Sequence, residues 1–137
     1  MPLTRLIAIH MSAALAAIAI GPLALWARLG ATPRPRLHRA AGYAWVTLML
    51  LTVVSATVID AGRAGPWGRF SLIHLLTPVT LGMLVPAFWL LFKGNIAGHR
   101  RVMRGLYGGA CLVAGGFTLL PGRYLGDLVL GQWLGLV

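Results

Sequence analysis

Charge is what this sequence has least of, and acidic charge above all. Only 10% of its 137 residues are charged, and just two, Asp60 and Asp127, are acidic against twelve Lys and Arg. Soluble domains carry about a quarter charged residues. This shortage, with 58% hydrophobic residues and a mean hydropathy of +0.83, excludes a water-soluble globule. The lack of carboxylates inside the apolar runs also removes the oxygen ligands that a hard-cation site needs. Cys111 is the only cysteine, so no intrachain disulfide can form, and thiol content says nothing of the redox compartment. A net charge of +10 would suit a nucleic-acid partner, but that reading needs a basic face clustered on a soluble fold. Here the basic residues interrupt long apolar runs. Nucleic acid is therefore excluded, and the lipid bilayer is the expected partner.

What the chain has is length enough to cross a membrane repeatedly. A hydrocarbon core of roughly 30 Å takes about 20 apolar residues per helix, and four stretches qualify, near 5–27, 38–59, 70–92 and 101–120. Each ends in Gly or Pro chemistry that stops helical hydrogen bonding: Gly30 with Pro33 and Pro35, Gly62 to Trp67, Lys93-Gly94-Asn95, and Pro121-Gly122. The tail 123–137 is apolar but too short to span, and reads as an interfacial helix with Arg123 and Asp127 at i,i+4 spacing. Gly122/Gly126 and Gly131/Gly135 have GxxxG spacing, which permits a homodimer or a place in a larger membrane complex. Eight basic residues fall in the first and third connections: Arg28, Arg34, Arg36, Arg39, Lys93, Arg100, Arg101 and Arg104. Four fall on the other side. Basic connections stay in the cytoplasm, so both termini are expected in the periplasm. Eleven Arg to one Lys, with abundant Ala and Gly, points to a bacterial genome, hence a multi-pass protein of the inner membrane.

The two halves of the chain resemble each other. Ile9-His10, Pro22 and Trp26 are answered by Ile73-His74, Pro86 and Trp89; His38-Arg39 by His99-Arg100; Tyr43 by Tyr107. The expected fold is therefore all-α: a four-helix up-down bundle of two parallel helical-hairpin repeats, about 1–64 and 65–122, with the short tail, in a single transmembrane domain. Helices 1 and 3 are then diagonal, as are 2 and 4. All four histidines fall on the scheme, with His10 and His74 at one depth and His38 and His99 at another, near the basic end. Facing imidazoles across a bundle are the axial ligands that a haem iron takes. Ala13, Ala14, Ala17 and Gly21 form a row from His10, and Pro78, Gly82 and Pro86 a row from His74. Such rows allow close porphyrin approach or, equally, plain helix packing. Arg39 and Arg100 are candidate partners for haem propionates.

The elements His38-Arg39-x-x-Gly42 and His99-Arg100-x-x-Met103, with His10 and His74 opening helices 1 and 3, resemble a widespread bacterial family of predicted multi-span membrane proteins of unassigned function. The layout of histidine pairs is similar to that of the four-helix di-haem cytochromes b, such as the superoxide-oxidase type and the b-type subunits of hydrogenases and formate dehydrogenases. That resemblance implies one or two haems b held by His10 with His74 and His38 with His99. It also implies an oxidoreductase exchanging electrons with quinone or another redox protein. Two other readings stay open on the residues alone: a non-catalytic accessory or scaffold subunit of a larger membrane complex, and a histidine-based metal-binding or transport protein.

Overall fold

The computed structural model describes residues 4–29, 33–59, 72–120 and 124–136, with side chains from residue 75 onward in the third of these segments. Helix α1 (Arg5–Trp26) starts at Thr4, whose hydroxyl accepts the Ile7 N–H at 3.3 Å as an N-cap. It ends before the Pro33-Arg34-Pro35 run, and α2 (Pro35–Val58) opens with Pro35 in its first turn, where a missing N–H costs nothing. Helix α3 (Leu72–Phe92) ends in a Schellman turn. Asn95 N–H bonds Leu90 O at 2.9 Å, Gly94 N–H bonds Leu91 O at 3.1 Å, and Gly94 takes the φ of +75° that the turn requires. Asn95 then caps α4 (Ile96–Leu106), its Oδ1 accepting the Gly98 N–H at 2.8 Å.

The fourth helical stretch differs from its expectation. It begins at Ile96 instead of near 101 and changes pitch midway: α4 passes into a π-helical segment, Tyr107–Val113, and then α5 (Ala114–Thr118). The tail is helical in short pieces, α6 (Tyr124–Gly126) and a second π segment, Asp127–Trp133. Gly131 and Gly135 do not form a helical GxxxG face, because Gly135 lies beyond the helix end with φ +61°. Gly122 and Arg123, expected to pair with Gly126 and Asp127, lie outside the described residues.

No strand occurs among the described residues, and three helices, Arg5–Trp26, Pro35–Val58 and Leu75–Phe92, are long and apolar enough to cross a membrane. Helix α1 packs along α2, α3 along α4, α2 touches α3, and α1 touches the first π segment. One core draws on all of them: Ala17, Trp45, Met49, Leu84, Leu106 and Cys111. Large apolar side chains cover the outside, with Val85 72% and Phe92 84% exposed. A surface of this kind would aggregate in water and is satisfied in lipid.

Candidate functional site

Three of the four histidines have described side chains, and all three do the same thing. His10 on α1 approaches Thr52 O at 3.0 Å and Ser55 Oγ at 2.9 Å on α2. His38, in the first turn of α2, approaches Ala24 O on α1 at 2.7 Å. His99, in the first turn of α4, approaches Ala87 O on α3 at 2.8 Å. The atom is Nδ1 in every case. A carbonyl can only accept, so Nδ1 carries the proton and, in the neutral ring, Nε2 keeps its lone pair. The Ser55 hydroxyl has its own acceptors, Leu51 O at 2.7 Å and Thr52 O at 3.0 Å. It therefore receives the His10 proton instead of supplying one. An imidazole anchored through Nδ1–H to a carbonyl is the arrangement that orients a metal-binding histidine.

The two bonds at the basic end have one form. Ala24 precedes Trp26 by two residues and Ala87 precedes Trp89 by two, so each histidine reaches back to the last turns of the preceding helix at the same place. Each tryptophan also carries a cation from the following connection: Arg34 lies 4.7 Å from the Trp26 ring centre and Lys93 5.6 Å from that of Trp89. The His38 bond has a local cause as well. Near the C-terminal end of α1, Arg28 N–H bonds Leu25 O at 3.2 Å. Ala24 O is thereby left as one of the carbonyls that a helix end must satisfy from outside.

His74 is on α3, but its side chain lies outside the described residues, so its expected partnership with His10 does too. Arg39 and Arg100 are exposed next to His38 and His99. Among the described residues no group of three or more His, Cys, Asp or Glu side chains converges. The α1 row of small residues is engaged in packing. Ala13, Ala17 and Gly21 are buried, and a Cβ on Gly21 would run into the Tyr107 ring and the Trp45 indole. On α3, by contrast, Pro78 and Gly82 are exposed. An open groove of about 410 Å³ runs along the α1–α2 seam between Ala8, Ser12, Leu48 and Leu51; His10, two residues from Ala8 and from Ser12, is not among the residues that line it.

Sequence reasoning missed Tyr107. Pro22 has no N–H, so Ile18 O loses its helical donor, and the Tyr107 hydroxyl supplies one at 3.1 Å from 89 positions away. The proline marks the freed carbonyl in the sequence; nothing local marks its new partner.

Long apolar helices with polar atoms turned inward define a helical integral membrane protein. Residues 7–121 match the family DUF2306, described as predicted membrane proteins, and the chain belongs to that family. No curated protein and no solved structure matches it.

Proposed function

We propose that this protein is a small b-type membrane cytochrome that holds haem between histidines and passes electrons to or from quinone. One observation carries the reading. Every histidine with a described side chain donates Nδ1–H to a carbonyl on the neighbouring helix and so presents Nε2 as a ligand atom. Low-spin haem iron takes two such nitrogens. The pairs are His10 with His74 and His38 with His99. They require the four helical stretches to run as an up-down bundle of two hairpin repeats, related by an axis along the membrane normal. The matched His–carbonyl bonds, the matched Trp–cation pairs and the shared core support that arrangement. Arg39 and Arg100 would meet the propionates. When bound, haem supplies the one-electron chemistry; the chain fixes the imidazole tautomers and keeps water from the core. The basic end, with eight cations, supports a bacterial inner-membrane placement with both termini in the periplasm.

The test is optical. Protein from a haem-replete host should show a Soret band and a pyridine haemochrome of haem b, and His74→Ala should lower the haem content. A folded but colourless preparation refutes the reading, and full haem content in His74→Ala refutes the pairing. A second reading, an accessory subunit of a larger membrane complex, draws on the exposure of Pro78 and Gly82 on α3, a face left for a partner helix. It expects co-purification with a respiratory assembly and no cofactor.

A further inference from the structure

The core contains a second set of chemistry-bearing side chains that haem ligation does not use. Cys111 and Met49 are each 4% exposed, and the thiol of one meets the thioether of the other, Sγ to Sδ 3.8 Å, across the π segment and α2. Met83 on α3 and Met103 on α4 pack against the same cluster. One sulfur thus comes from each of α2, α3, α4 and the π segment. Trp45, one turn before Met49 and 2% exposed, is part of the cluster. Its indole N–H lies beside the Cys111 sulfur yet completes no hydrogen bond. Among the described residues it is the buried side-chain polar atom without a partner.

We propose that this cluster is a site for a soft monovalent metal ion, Cu(I), held by the Cys111 thiolate and the Met49 thioether, with Met83 or Met103 completing the set. Thiolate and thioether sulfur select Cu(I) over the harder divalent ions. The charge agrees with the depth of the site. Cys–SH plus Cu⁺ gives Cys–S–Cu(I) plus H⁺, the proton leaving to solvent, so the filled site is neutral. A divalent ion with the same single thiolate would leave a net charge within the membrane core, where charge is costly. The spacing agrees too. At a metal–sulfur length of about 2.3 Å, two sulfurs 3.8 Å apart subtend roughly 110° at the ion, which leaves room for a third ligand. Methionine side chains are flexible enough to supply it. The Trp45 N–H then has a purpose. A buried donor left unpaired is unfavourable, and a thiolate at Cys111 is the charged acceptor it lacks.

The full chain in detergent micelles should be titrated with Cu(I) against the chromogenic chelator bathocuproine disulfonate, with haem content measured in parallel. One Cu(I) per chain should resist the chelator and bring a near-ultraviolet thiolate-to-copper band. Cys111→Ser should abolish both signals. Met49→Leu, close in volume, should weaken retention while the thiol remains, and Trp45→Phe should weaken it by roughly tenfold as the loss of a supporting hydrogen bond. Wild type that retains no more copper than Cys111→Ser overturns the proposal. So does Met49→Leu with undiminished retention, which decides the matter if Cys111→Ser fails to fold. Haem binding is read separately, so failure of one site leaves the other standing.

Discussion

At Pro22 the chain gives up a backbone donor, and making good the loss ties two distant helices together. The Tyr107 hydroxyl on Ile18 O replaces the missing helical hydrogen bond. Tyr107→Phe should therefore cost about 0.5–1.5 kcal/mol in reversible unfolding in mixed micelles. Pro22→Ala restores a local donor, so the same substitution in that background should cost measurably less. An unchanged cost would show that the hydroxyl is not there for the proline. Gly21, beside it, has no room for a Cβ between the Tyr107 ring and the Trp45 indole, whereas Gly82 on α3 faces open space. Gly21→Ala should destabilise by about 1–3 kcal/mol through overpacking, and Gly82→Ala should leave the unfolding midpoint nearly where it was. The sequence marks both glycines alike, as members of small-residue rows. Only the position of Tyr107 separates them.

At the scale of elements, the two hairpins differ in how they turn. The α3–α4 turn is closed by side-chain and backbone geometry together: Gly94 in the left-handed region and Asn95 as the cap of α4. Asn95→Ala should cost about 1 kcal/mol and raise the hydrogen-exchange rate of the Gly98 amide. Helix α2 has no side-chain cap at Arg34 and opens on Pro35 instead, so Arg34→Ala should leave the start of α2 intact. The run Lys93-Gly94-Asn95 is readable from sequence as a break because its chemistry is local. The π segment Tyr107–Val113 is not readable in that way. It holds two long-range contacts, its first residue Tyr107 on Ile18 and its interior Cys111 on Met49, and π turns of this kind frequently mark functional positions.

At the scale of the whole molecule, the uneven charge has a use that does not involve packing. The cations at one end of the helices are exposed, and in the proposed orientation they hold that end in the cytoplasm, where basic connections prefer to stay. A reporter fused to the C-terminus should accordingly be active as alkaline phosphatase and dark as a cytoplasm-dependent fluorescent protein. Replacing Arg34, Arg36, Arg100 and Arg101 together should erase that bias, measured as a mixed reporter signal. A cytoplasmic C-terminus in the wild type would overturn the orientation. The exposed apolar side chains, Val85 and Phe92 among them, belong to the same picture, since lipid is the solvent that accepts them.

The sequence alone determined that this is a helical membrane protein and that its chain breaks at Lys93-Gly94-Asn95 and before Pro35. Those properties follow from composition, segment length and turn chemistry, all of which act over a few residues. The histidines were found the same way, by type and spacing. The tertiary structure decided what they do. The bonds from His10, His38 and His99 span 42, 14 and 12 positions respectively, so the proton on each Nδ1 and the free lone pair on each Nε2 depend on which carbonyl packing brings alongside. It also decided that Ala13, Ala17 and Gly21 pack against protein, and that Cys111 has a sulfur partner 62 positions away in Met49. Hydrogen bonds and sulfur contacts of that range are set by how helices pack, and no local pattern in the chain encodes them.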